Sequence, residues 1–142
     1  MRFWFQRKIN HPFYPKLRPV PAASASGCSE ALAGTYSELL AAARCGARAT
    51  RMALVLHSVD TPFLNAVQRD RLWELFEVPI YAMVLDRKGS LAGFECEAQN
   101  GLHLPGRHGA DSSVCPCGRP GLIQTEAARE VSAAVRLLPA GV

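Results

Sequence analysis

Apolar positions along the chain switch between two spacings, and each switch marks an element. Leu32, Tyr36, Leu39, Leu40 and Ala43 recur at helical intervals, Ser29 suits an N-cap, and Gly46 stops the pattern. This predicts one amphipathic helix over about 29–45. Residues 52–56 form a short apolar run closed by His57 and Ser58, the length of a buried strand. After Thr61 and Pro62, Asn65 and Gln68 have capping-box spacing, and Leu64, Val67, Leu72, Leu75 and Phe76 make an apolar stripe. A second helix over about 63–77 follows, with Trp73 beside the stripe and expected to pack into the core. Residues 80–85 and 91–96 are apolar again, separated by turn residues at 86–90. The order strand, helix, strand, strand defines an α/β fold with a small mixed sheet. A crossover through the helix sets the first two strands parallel, and a tight connection sets the third antiparallel to the second.

The N-terminal stretch lacks both spacings. Pro12, Pro15, Pro19 and Pro21, followed by small residues at 22–26, resist helix and sheet alike and predict an extended arm draped on the body through Phe13 and Tyr14. The chain therefore divides into an extended, Pro-rich basic arm (1–28), an amphipathic helix and linker (29–51), an α/β core with a C-terminal loop region (52–125) and a C-terminal helix or tail (126–142). Charge follows the same division. Residues 1–51 carry eight Arg or Lys against Glu30 and Glu38, whereas 52–142 carry eight basic and ten acidic residues. The arm could touch nucleic acid or anionic lipid, but its bases are spread among Pro and aromatic residues, which favours a solvated tail. Phe3, Trp4 and Phe5 run at once into Gln6, Arg7 and Lys8, so the apolar core of a secretory signal is missing, and no stretch approaches the roughly 20 apolar residues of a membrane span. Five cysteines are an odd count, so a reducing cytoplasm is expected, where close-set cysteines bind metal more often than they form disulfides.

The chemistry concentrates in Cys96, His103, Cys115 and Cys117. Three thiolates and one imidazole fill the four tetrahedral positions of Zn²⁺ and leave none for water, which describes a structural metal. Gly101, Pro105, Gly106 and Gly109 supply the turns that let the ligands converge. In an extended Cys115-Pro116-Cys117 segment both sulfurs face one side. Three thiolates on Zn²⁺ leave a net negative centre, for which Arg107 and Arg119 are the expected neighbouring donors. His108 competes with His103 for the fourth place. The alternatives are unrelated free thiols, a Cys115–Cys117 disulfide, and a catalytic zinc with one position open. Cys28 and Cys45 read as small buried or half-exposed thiols, Glu95 and Glu97 as solvated charges on one strand face, and His57 with Asp60 as a pair without a catalytic motif.

Glu95, Cys96, Gly101, Leu102 and His103, within 94–104, resemble a Glu-Cys-x₄-Gly-Leu-His stretch of phenylacetate-CoA ligase-like adenylate-forming enzymes, and Cys115, Cys117, Gly118 and Arg119 resemble their later Cys-x-Cys-Gly-Arg stretch. Residues 62–81 are similar to that family's helix leading into its nucleotide-binding strand. The resemblance implies a structural zinc on the matched Cys, His and Cys-x-Cys residues, as in some members. The family's Tyr-Gly-x-(Ser/Thr)-Glu motif is replaced by Tyr81-Ala82-Met83-Val84-Leu85, and its phosphate loop and catalytic lysine region have no counterpart. A non-catalytic, zinc-stabilised binding or accessory module is therefore expected, with a protein or small ligand as partner. One alternative is a zinc-containing nucleic-acid binder using the basic arm with Phe3, Trp4, Phe5 and Tyr14 as stacking groups. Another is an accessory subunit of a separate CoA ligase.

Overall fold

A computed structural model describes residues 10–99, 101–104, 115–117 and 123–124. Among these, seven strands form one mixed sheet in sequential order: β1 (Val20–Pro21), β2 (Cys28–Gly34), β3 (Arg48–Ser58), β4 (Ile80–Leu85), β5 (Leu91–Phe94), β6 (Leu102–His103) and β7 (Ile123–Gln124). The first four run parallel and the last three antiparallel. Two helices, α1 (Tyr36–Arg44) and α2 (Ala66–Phe76), connect β2 to β3 and β3 to β4. The expected strand, helix, strand, strand unit is β3, α2, β4 and β5, with the expected directions.

Upstream of β3 the sequence reading needs correction. Residues 28–34 are a strand, and the helix begins only at Tyr36. Its N-cap is Thr35, whose hydroxyl accepts from the Glu38 N–H while the Glu38 carboxylate accepts from the Thr35 N–H. That reciprocal pair satisfies two otherwise orphaned donors. Helical periodicity extended the helix too far back because Ala31, Leu32 and Ala33 are buried on alternate faces of a parallel strand, where a continuous apolar run is normal. The far end is as expected: Gly46 takes a positive φ, and the Gly46 and Ala47 N–H groups donate to Ala43 and Ala42 in a Schellman closure. The arm also contributes structure. Val20–Pro21 pairs with β2, and a single 3-10 turn covers Ala22–Ser24.

Alternation along the strands splits the core into two layers. Leu32, Ala53, Val55 and Ile80 face both helices, packing with Leu39, Ala42, Leu72 and Phe76. Leu54, Leu56, Tyr81, Met83 and Leu85 face the other way, where among the described residues Phe13, Tyr14, Leu17 and Leu91 pack on them. The arm is thus draped on the body through Phe13 and Tyr14, as its sequence suggests.

The α2 cap is the Asn65–Gln68 box, but the stripe is narrower than predicted. Val67 is 77% exposed and Trp73 53% exposed, because Leu72 and Phe76, with Leu75 partly buried, already fill the contact with the sheet. Leu72→Ala is therefore expected to lower stability by about 2–5 kcal/mol. Val67→Ala is expected to change it by no more than about 0.5 kcal/mol. Urea denaturation of both variants checks the pair, and equal losses would contradict this packing.

Candidate metal centre

The four predicted ligands come from three places that the antiparallel edge brings together. Cys96 follows the end of β5, His103 closes β6 opposite Phe94, and Cys115 with Cys117 lies in the connection from β6 to β7. A turn makes the first return possible: the Gln99 N–H donates to the Cys96 carbonyl, Gln99 itself takes a left-handed φ of 50°, and Gly101 takes a φ of 115°. Glycine suits that last backbone state because it has no Cβ. The Gln99 side chain fastens the turn to the sheet by donating to the Ile80 carbonyl at 2.7 Å.

One ligand atom from each residue lies within 4.8 Å of all the others, close enough to hold a metal ion. Cys96 Sγ and Cys115 Sγ are 3.5 Å apart, and Cys117 Sγ lies 3.7 Å from His103 Nε2. Zinc bonds of about 2.3 Å to sulfur and 2.0–2.1 Å to nitrogen imply tetrahedron edges of about 3.8 Å between sulfurs and about 3.6 Å between sulfur and nitrogen. These two separations lie within about 0.3 Å of those edges. Cys96, His103 and Cys115 are buried, Cys117 is half-buried, and all five cysteines are free thiols. The Cys115–Cys117 disulfide alternative is therefore not formed.

The imidazole is held by aromatic packing. Phe94 stacks on His103 at 5.4 Å with the planes 17° apart, and Phe13 meets it edge-on at 4.8 Å.

Next to the four candidate donors sits a buried polar group, Glu95, that its sequence position suggested would be solvated. Glu95 is only 1% exposed. Its backbone N–H donates to the Ala82 carbonyl, as an antiparallel ladder requires, but the Ala82 N–H donates to the Glu95 side-chain Oε1 at 2.7 Å. The carboxylate thus takes the place of the strand's own carbonyl, which accepts instead from His11 Nε2. Arg69 Nη2, from the first turns of α2, closes the cluster on Glu95 Oε2 at 2.6 Å. His11 Nδ1 accepts from the Phe13 N–H, which assigns the ring proton to Nε2. Glu97 is exposed, as expected, and accepts from the Tyr14 hydroxyl at 3.0 Å.

Other sequence expectations fall elsewhere. Arg107, Arg119 and His108 lie outside the described residues, as do Phe3, Trp4 and Phe5 of the arm. Tyr14, the remaining stacking candidate, faces Tyr81 with planes 5° apart. Cys28 and Cys45, expected as buried or half-exposed thiols, are exposed. His57 is buried and stacked on Phe63 at 5.2 Å, while Asp60 pairs with Arg87. Among the described residues no helix is long and apolar enough to cross a membrane.

Without a cation, burial pushes the Cys96 thiol up to about 12; the Ala98 backbone hydrogen bond opposes this, and contacts with Cys115 and Cys117 reinforce it. An unfolded thiol releases its proton near pH 8.5, so above that pH the unfolded metal-free chain binds fewer protons than the folded one. Metal-free protein therefore loses stability as pH rises above about 8.5 for as long as Cys96 stays buried, and shows no such slope once the loops after β5 have opened. Metal-bound thiols are already deprotonated, so loaded protein should instead gain stability as pH rises towards about 8.5. Urea midpoints measured for both forms between about pH 7 and pH 10 separate the two slopes. Parallel curves would contradict ligation through these sulfurs.

No protein-family model matches the chain, and no curated protein is significantly similar to it.

Proposed function

We propose that this chain is a small zinc-stapled α/β domain that performs no chemistry of its own and serves as a binding or accessory module. The observation that carries this reading is the convergence of three sulfurs and one imidazole within 4.8 Å. Soft thiolates with imidazole at tetrahedral spacing suit Zn²⁺, and four protein ligands leave no position for an activated water. Burial of Cys96, His103 and Cys115 supports a closed, structural site. The two stretches that resemble phenylacetate-CoA ligase-like enzymes supply all four donors, which supports reading the core as similar to the zinc-bearing part of that family. The missing Tyr-Gly-x-(Ser/Thr)-Glu motif supports a catalytically silent version of it.

Cobalt substitution tests the site. Co²⁺ added to metal-stripped protein should give the strong visible bands of a tetrahedral ion together with sulfur-to-cobalt charge transfer, and zinc should abolish both. Weak octahedral bands would contradict the ligand set. For the silent-module part, Mg-ATP should leave the thermal midpoint of the zinc form unchanged. A concentration-dependent rise would mean a working nucleotide site.

A further inference from the structure

Residues 11–17 cross the sheet face opposite the helices and grip both sides of one metal ligand. His11 Nε2 donates to the carbonyl of Glu95, the residue before Cys96, and the Tyr14 hydroxyl donates to the carboxylate of Glu97, the residue after it. Between them, Phe13 sets its edge against the His103 ring and packs on the Cys96–Cys115 cluster. Two internal turns hold the segment's shape: the Tyr14 N–H donates to the His11 carbonyl, and the Leu17 N–H donates to the Tyr14 carbonyl. Leu17 is buried on the same layer as Leu54, Leu56 and Met83.

We propose that residues 11–17 form a strap whose closure is coupled to the metal, so that metal loss releases the strap and uncovers the apolar sheet face beneath it. This rests on the metal reading above. A ligand set needs its imidazole fixed in direction and its sulfurs fixed in position, and groups behind the ligands that supply this commonly change metal affinity about 10–100-fold. Phe13 stands perpendicular to both the imidazole and its stacking partner Phe94, 4.8 Å and 5.0 Å from their centroids, and so fixes that ring pair, while His11 with Tyr14 fixes the backbone on both sides of Cys96. Coupling between two binding events is reciprocal: whatever factor the strap adds to metal affinity, the metal adds to strap closure. Leu17, Phe13 and Tyr14 of the strap belong to the apolar cluster that includes Leu54, Leu56, Met83 and Leu85, so among the described residues its release would expose apolar surface of that layer. The metal then gates access to that surface as well as stapling the loops.

Lys16 reports the state of the strap, because it is exposed while the residue after it, Leu17, is buried. Trypsin must pull the chain out to cleave between them. Using the full-length chain, the rate of cleavage after Lys16 is followed by mass spectrometry with zinc bound and after chelation, and zinc affinity is measured for wild type, Phe13→Ala and Tyr14→Phe. The expected result is at least tenfold faster cleavage after chelation and zinc affinity weakened about 10–100-fold by Phe13→Ala. Tyr14→Phe keeps the ring stacked on Tyr81 and should cause a smaller loss of the same sign, which tests the strap even if Phe13→Ala does not fold. Wild-type zinc affinity in both variants, with cleavage indifferent to zinc, would overturn the strap and leave the metal site standing. Failure of the wild type to bind zinc at all would overturn both.

Discussion

Cys96→Ser is expected to abolish metal binding and to unfold the loops that follow β5, leaving the parallel half of the sheet as the more stable remnant. Cys96 is buried in contact with Cys115 and sits at the start of the turn that returns the chain to β6. Strands β6 and β7, the last two of the sheet, are two residues each, too short to hold themselves in place by ladder hydrogen bonds. Structural zinc contributes an apparent binding free energy on the order of 10 kcal/mol, comparable with the whole stability of a small domain. Removing one of four ligands forfeits most of that. Hydrogen exchange should show protection lost at 101–104 and retained in β2, β3 and β4, and chelation of wild type should reproduce the same map. Cys28→Ser and Cys45→Ser provide the contrast: both thiols are exposed, and each change should stay within about 0.5 kcal/mol. Equal behaviour of all three variants would contradict the metal centre.

The second large effect is expected at Glu95. Its carboxylate serves a backbone donor and a guanidinium at once, so Glu95→Ala strands both the Ala82 N–H and Arg69. Breaking a buried ion pair by removing one partner costs about 3–5 kcal/mol. Arg69 is 22% exposed and can recover some hydration, which places the loss towards the lower end. Arg69 Nη1 has no hydrogen-bond partner among the described residues, so Glu95 is its main electrostatic anchor, with the Phe63 ring 6.0 Å from the guanidinium carbon. Glu95→Gln keeps an acceptor for Ala82 and should lose less. Combining Glu95→Gln with Arg69→Met should cost less than the sum of the two single changes, since the second removes the charge the first leaves unpaired. Denaturant midpoints of the four proteins settle the coupling, and strict additivity would contradict the pair.

How much was legible in the sequence follows from which forces are local. The Asn65–Gln68 box, the Gly46 stop and the 80–85 strand rest on short-range chemistry and stand as read. The Cys96, His103, Cys115 and Cys117 cluster was legible because metal chemistry restricts residue type so strongly, and the structure brings the four within 4.8 Å of one another, close enough to hold an ion. The 28–34 strand was missed because a parallel strand buried on both faces has no period of two to betray it. Glu95 was misplaced because its burial depends on Arg69, 26 positions away, and on a ladder acceptor exchanged between backbone and side chain. His11 carried no local signal at all: its partner is the Glu95 carbonyl, 84 positions away. Trp73 and Val67 were over-read because an apolar residue at helical spacing need not find sheet beneath it.

Elemental analysis of the chain, purified without added metal and without chelator, tests the central claim most directly. One zinc per chain, lost together with a large fall in melting temperature when Cys115 is replaced by serine, is the expected result. Protein that carries no stoichiometric metal, yet melts at the same temperature with and without a strong chelator, would contradict it.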